Sequence, residues 1–256
     1  MNDLFKKAFS LEQKVAIVTG GATGLGSGIT KAFLSAGAKV IIIGRRLDIL
    51  EKAAEEFGLN CFPIQFDITE FDKAPELISR VVQKFGRLDI LVNNAGIQHK
   101  NQVENAVISE IKEELDVHVV GAFALTQASI PEMQKNETAS VIFISSEAGF
   151  IGLTYLAGYS AAKAGVMGLV RNLASEVSNT GIRFNAIVPG WIETPMFIKS
   201  MGNDLERQKK VLNRTPLKRF GSIMDIGWAA TYLASDASKF VTGSSIVVDG
   251  GALIGF

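Results

Sequence analysis

The chain of 256 residues has little of what builds disulfide scaffolds, metal centres or membrane spans. Cys61 is the only cysteine, so no intrachain disulfide can form, and with only His99 and His118 beside it the sequence offers no metal-ligating cluster. Cys61 reads as a small core residue. No run approaches the ~18 uninterrupted apolar residues that span a bilayer, because glycine, threonine or a charge interrupts each one; the expectation is a soluble protein. Net charge is absent too. The 26 Lys and Arg balance 26 Asp and Glu, which argues against nucleic acid as a partner. Residues 1–14 carry Asp3, Lys6, Lys7, Glu12 and Lys14 and no apolar block with a small-residue cleavage site, which predicts a cytoplasmic protein without membrane contact.

What the chain does have is apolar material, 47% of its residues, enough for a large core. Short β-branched runs lie at 15–18, 40–43, 90–92, 141–144, 182–188 and 246–248, with a further candidate strand at 61–66. Apart from Arg183 and Asn185 in 182–188 and Gln65 in 61–66 they are apolar, as suits strands buried on both faces. Longer segments of helical character separate them, among them 24–35, 48–57, 70–85 and 156–177. This alternation predicts βαβ units in a doubly wound, mainly parallel α/β sheet of Rossmann type, as a single domain over residues 1–256. The one irregular stretch, about 190–222, has the length of a flap over a ligand site.

Directly after the first strand comes Thr19-Gly20-Gly21-Ala22-Thr23-Gly24-Leu25-Gly26, opening into a helix. Backbone amides at that helix N-terminus can face a pyrophosphate, and side chains at Gly20, Gly24 or Gly26 would obstruct its approach; Thr23 and Leu25 belong to the same turn. The competing reading is a tight structural turn. At the end of the second strand, where a carboxylate would hold the ribose hydroxyls of NAD, the chain reads Ile43-Gly44-Arg45-Arg46. The acid is missing, and a guanidinium from Arg45, with Arg46 beside it, suits a 2′-phosphate, so NADP(H) is the expected cofactor with NAD(H) as the lesser alternative. Solvated loop arginines are the plainer explanation.

Thr19, Gly20, Gly24 and Gly26 meet the pattern Thr-Gly-x-x-x-Gly-x-Gly, and further marks follow in order: Asp67, Asn93-Asn94-Ala95-Gly96, Ser146, Tyr159-x-x-x-Lys163, and Pro189-Gly190 with Thr194. Together they identify the chain as resembling the short-chain dehydrogenase/reductase family from Lys14 to Gly251. The resemblance implies that Asp67 and Ile68 hold the adenine, with a helix cap before Thr69 as the structural alternative. It implies that Asn94, Ala95 and Gly96 let backbone approach the cofactor. Pro189, Gly190, Ile192 and Thr194 would cover the nicotinamide carboxamide.

Tyr159 and Lys163, four apart on a predicted helix, share a face. An ammonium beside a phenol favours the phenolate, so Lys163 is expected to lower the ordinary tyrosine pKa of ~10 and tune Tyr159 as acid and base. By the resemblance Lys163 also holds the nicotinamide ribose, and Ser146, rather than its neighbour Ser145, binds the substrate oxygen. Where the family often has an asparagine that orders a relay water, this chain has His118, whose imidazole could serve the same proton relay or simply be a buried neutral group.

The implied reaction is NADP(H)-dependent hydride transfer between nicotinamide and a secondary alcohol or ketone. Asn93 to Gln98, and Arg214-Thr215-Pro216 before Phe220-Gly221, are similar to gluconate 5-dehydrogenases and related sugar-acid keto reductases. Gln98, Lys100, Trp191 and Arg214 are therefore the candidate substrate contacts; Arg214 belongs to a basic stretch from Lys199 to Arg219 that either attracts an anion or is a solvated helix face. The alternatives are a 3-oxoacyl-thioester reductase, with Trp191, Met196, Phe197 and Met201 forming an acyl channel, and a cofactor-binding regulatory protein without turnover. An apolar tail with Leu253, Ile254 and Phe256 leads to the expectation of a homotetramer.

Overall fold

All seven expected strands form: β1 (Val15–Thr19), β2 (Lys39–Gly44), β3 (Cys61–Gln65), β4 (Ile90–Asn93), β5 (Ala139–Ile144), β6 (Ile182–Pro189) and β7 (Ser245–Val248). In this computed structural model, which describes residues 3–201 and 204–255 without the side chains of Met196, Lys199 and Ser200, every strand pair is parallel. The order β3-β2-β1-β4-β5-β6-β7 reverses direction between β1 and β4. The carboxyl ends of those two strands form the switch point where doubly wound sheets bind ligands.

Helices cover both faces: α1 (Asp3–Phe9), α2 (Gly24–Ser35), α3 (Leu47–Phe57), α4 (Ala74–Phe85), α5 (Ile108–Leu115), α6 (Ala122–Met133), α7 (Ala157–Val177), α8 (Pro195–Met201), α9 (Leu205–Arg214) and α10 (Ile223–Ala234). Alternate strand residues point to opposite sides, so Ile17, Ile41 and Ile43 join Leu77, Leu125 and Val170 from α4, α6 and α7. Val18, Val40 and Ile42 join Phe33, Leu50 and Leu233 from α2, α3 and α10. On that second face α2 and α10 meet at glycines. A Cβ at Gly28 would stand 2.3 Å from the Ile223 carbonyl, and one at Gly227 2.5 Å from the Gly28 carbonyl, so this crossing fixes the depth at which α2 lies.

The segment 70–85 does not run as one helix: a 3-10 turn at Phe71–Lys73 precedes α4, and Pro75, lacking an N–H, occupies the first turn of α4. The stretch 190–222 is less irregular than its sequence suggests. It contains α8, which opens on Pro195, and α9, capped by Asp204, whose carboxylate accepts the Arg207 N–H at 3.0 Å. A parallel bridge between Ile192 and Gly221 ties its two ends together, so the intervening residues form a closed flap. Among the described residues no helix is long and apolar enough to cross a membrane.

Candidate active site

The glycine-rich turn joins β1 to α2 at the switch point. Thr19 anchors it: its Oγ1 accepts the N–H groups of Asn94 and Ala95 at 2.8 Å each, and its carbonyl accepts the Asn94 side-chain amide at 2.7 Å. Asn94 thus cross-links β1 to β4, and Ala95 and Gly96 follow in the cleft wall. The three glycines do different work. Gly24 has φ +54° and its missing Cβ would meet nothing closer than Thr194 at 3.9 Å, so this position opens onto the cleft. A Cβ at Gly26 would lie 2.1 Å from the Gly20 carbonyl, so Gly26 serves the closure of the loop on itself rather than ligand approach. Thr23 makes no side-chain cap, which leaves the first amides of α2 without a side-chain partner. Gly20, Thr23, Gly24 and Leu25 line one end of a cleft of about 300 Å³. An open glycine and uncapped helix amides fit a dinucleotide pyrophosphate.

Arg45 and Arg46 follow β2 as exposed side chains, outside the lining of this cleft. Asp67 Oδ1 accepts both the N–H (3.0 Å) and hydroxyl (2.8 Å) of Thr69 in a local turn, while the 3-10 turn that follows has Glu70, not Asp67, at its cap position; Ile68 is buried. Pro189, Gly190, Ile192 and Thr194 all line the cleft, and Thr194 Oγ1 also accepts the Phe197 N–H at 3.1 Å as it starts α8.

Ser146, Tyr159 and Lys163 line the same cleft. Ser145 is the structural member of its pair, buried with its hydroxyl on the Lys163 carbonyl at 3.0 Å, whereas Ser146 hydrogen-bonds toward the Tyr159 hydroxyl. Lys163 is buried, and its Nζ donates to the Ile144 carbonyl at 2.7 Å and lies 5.4 Å from the Tyr159 ring centre. The electrostatics differ from the sequence expectation. Burial pushes Lys163 down to about 7, and it pushes Tyr159 up to about 12, with Ser146 pulling the other way and Glu114 and Glu147 adding to the rise. In the chain by itself, desolvation outweighs the help an ammonium gives a phenolate, with Lys163 buried and Tyr159 half-buried in the cleft wall.

His118 occupies a π-helical turn, Asp116–Gly121, between α5 and α6. Its ring meets the Tyr159 ring edge-on with centroids 5.4 Å apart, and its Nε2 lies 2.8 Å from the Ile97 carbonyl. Burial first, then the Lys163 charge, push it down to about 3, so it is a neutral imidazole. Behind Lys163 a cavity of about 10 Å³ is lined by His118, Lys163, Thr19 and Asn93, and Asn93 Oδ1 has no protein partner. That is room for one water.

At the substrate end Gln98, Lys100 and Trp191 line the cleft as expected. Arg214 does not. It closes α9, and its Nε donates to the Ala252 carbonyl at 2.9 Å, holding the C-terminal tail. Arg207, one residue of the same basic stretch, reaches the cleft instead and stacks on Trp191. Its charge, after burial, lowers the pKa of Lys100. His99 turns away: its N–H donates to Glu114 at 2.8 Å and its Nε2 lies 3.0 Å from Glu113. Among the proposed acyl-channel residues Trp191 and Phe197 line the cleft, Met201 is buried outside it, and the Met196 side chain lies outside the described residues, as does that of Lys199 from the basic stretch. Sequence reasoning passed over Glu147. This carboxyl, directly after Ser146, is buried in the cleft wall, and an acid beside the candidate serine was the available signal.

A family model described as enoyl-(acyl carrier protein) reductase matches residues 20–252. The 3-oxoacyl-(acyl-carrier-protein) reductase FabG of Thermotoga maritima is 39% identical over 252 residues, covering 95% of this chain and 99% of the relative. The NADP-dependent (R)-specific alcohol dehydrogenase of Lentilactobacillus kefiri is 37% identical over 249 residues, covering 94% and 97%. In structure the chain is similar to a gluconate 5-dehydrogenase from Burkholderia cenocepacia in complex with NADP and tartrate, with TM-score 0.92, 29% identity and coverage of 97% and 98%. With the glycine-rich turn at the switch point and Ser146, Tyr159 and Lys163 in one cleft, these matches establish that the chain belongs to the short-chain dehydrogenase/reductase family and is an oxidoreductase acting on alcohol or keto groups.

Proposed function

We propose that the protein is an NADP(H)-dependent oxidoreductase of hydroxy or keto sugar acids, gluconate and 5-keto-gluconate being the type. The observation that carries the substrate class is the pairing of Lys100 and Arg207 in the same cleft as Ser146 and Tyr159. Burial first, then the nearby Arg207 cation, disfavours the charge of Lys100, and an anion between the two cations would relieve this. The structural similarity to a gluconate 5-dehydrogenase, in complex with NADP and tartrate, supports this reading. Arg45, at the end of β2 where no carboxylate stands, supports NADP(H) over NAD(H).

In this mechanism Gly20, Thr23, Gly24 and Leu25 hold the pyrophosphate, and Pro189, Gly190, Ile192 and Thr194 hold the nicotinamide end. Bound there, the cofactor would supply the hydride chemistry. Ser146 donates a hydrogen bond to the substrate carbonyl oxygen, and Tyr159 protonates that oxygen during reduction or removes its proton during oxidation. Lys163 orients the cofactor ribose and Tyr159. His118, with Asn93 and the one-water cavity behind Lys163, is the proposed route that returns the proton to Tyr159. A homotetramer in the cytoplasm completes the proposal; exposed Ile254 supports it, whereas Leu253 is half-buried and Phe256 lies outside the described residues.

The second reading, a 3-oxoacyl-thioester reductase, is supported by the Thermotoga maritima relative and by Leu153, Leu156 and Phe197 in the cleft wall. An NADPH-oxidation screen across keto-sugar acids, neutral keto-sugars and 3-oxoacyl thioesters separates the two. Faster reduction of 5-keto-gluconate than of acetoacetyl thioesters is expected. A strong thioester preference would overturn the sugar-acid assignment.

A further inference from the structure

Glu147 is the single carboxyl among the described residues that line the cleft, and it is 4% exposed. It begins the short turn Glu147–Gly149 after β5, one residue beyond Ser146, so its Cα lies about 3.8 Å from that of the residue that binds the reacting oxygen. The chain around it satisfies only part of its capacity. The Trp191 side chain hydrogen-bonds to the carboxyl, while Oε2 has no partner. The charged groups near it, from other elements, are otherwise engaged. Asp249, after β7, accepts the N–H groups of Gly251 and Leu253 at 2.7 Å each, and Arg214, at the end of α9, donates to Ala252. A desolvated acceptor without a partner is unfavourable unless a ligand supplies one. The last torsion of a glutamate is broad, so rotation of the carboxyl brings either oxygen to the cleft side.

We propose that Glu147 is a specificity residue that accepts a hydrogen bond from a substrate hydroxyl on the carbon next to the reacting carbonyl. The cleft then reads two features at once. Lys100 and Arg207 take an anionic group at the mouth, and Glu147 takes a hydroxyl beside Ser146. Burial and the Asp249 charge raise the Glu147 carboxyl to about 7, and in either protonation state it retains an oxygen that accepts. This deepens the reading of the cleft as a carbonyl-reducing site, and it selects α-hydroxy ketones over acyl chains, which present no such donor.

The test uses the full chain, NADPH and two neutral ketones, acetoin and butanone, which differ by one α-hydroxyl. The wild type is expected to favour acetoin in kcat/KM by about ten-fold or more, since a site that hydrogen-bonds a hydroxyl rejects the analogue lacking it. Glu147→Leu should cut that ratio about ten-fold, acetoin losing more kcat/KM than butanone, with NADPH affinity unchanged. Glu147→Gln, which keeps the shape and an acceptor for Trp191, should fall between and carries the test if the Leu variant does not fold. An equal loss on both ketones would reduce Glu147 to a support for Trp191 and overturn the proposal, as would a wild type that does not distinguish them. Failure of the sugar-acid reading has a different signature: no turnover of 5-keto-gluconate alongside an intact acetoin preference, which leaves the role of Glu147 standing.

Discussion

The Arg207 guanidinium lies over the Trp191 indole, 5.9 Å from the ring centre. Such a stack holds a long side chain in one orientation at little entropic cost, because the planar guanidinium is pre-organised. It places a cation in the same cleft wall as Lys100, while Arg214 serves the tail. Arg207→Gln should therefore raise the Michaelis constant for a sugar acid by about ten- to a hundred-fold, the worth of a charge-assisted hydrogen bond, with a smaller change in kcat. Arg214→Gln should leave that constant unchanged and lower the melting temperature. Steady-state kinetics and thermal melts on both variants check the contrast, and a matching Michaelis defect in Arg214→Gln would contradict it.

Tyr159→Phe should lower turnover by about 10²–10⁴-fold, the range of general acid-base catalysis, with NADPH affinity nearly unchanged. The ring and its edge-on contact with His118 remain, and only the proton donor goes. Turnover compared with cofactor titration by fluorescence is the measurement, and retained catalysis would remove Tyr159 from the mechanism.

Arg45→Asp should weaken NADPH binding by about ten- to a hundred-fold and improve the use of NADH, because a cation facing the 2′-phosphate becomes a repulsion. The ratio of kcat/KM for the two cofactors reports it. An unchanged ratio would transfer the role to Arg46.

Acid stability should carry the mark of His118. Its pKa falls from 6.5 in the ordinary group to about 3 in the fold, so between those values the unfolded chain binds the extra proton. Stability is present in full above pH 6.5 and declines as pH falls through the window, by up to about 1.4 kcal/mol per pH unit for one proton. The raised Glu147 acts with the opposite sign, so the comparison must be with His118→Gln, whose melting temperature should fall less between pH 7 and 4. Parallel slopes would show that His118 is not the group protonated. For the relay, His118→Leu should depress kcat while His118→Asn retains it, and equal rates and pH profiles for wild type and His118→Leu would remove His118 from proton transfer.

Light scattering should give four times the chain mass, and Ile254→Asp at the exposed tail should shift it toward smaller species. A monomeric wild type would refute the tetramer.

The sequence by itself determined the sheet, the turn and the shared face of Tyr159 and Lys163. Uninterrupted runs such as Val15–Thr19 can be buried only between two helical layers, and the spacing of Tyr159 and Lys163 puts both on one face of a helix wherever that helix packs. Tertiary structure alone decided the substrate end. Arg207 and Arg214 look equivalent in a basic stretch, and only the folding of the flap into α8 and α9 turns one to the cleft and the other to Ala252. The same holds for charge. Spacing shows that an ammonium stands near a phenol, but the depth at which α7 buries them sets whether attraction or desolvation governs their protons, and that depth depends on residues from strands and helices distant in the chain.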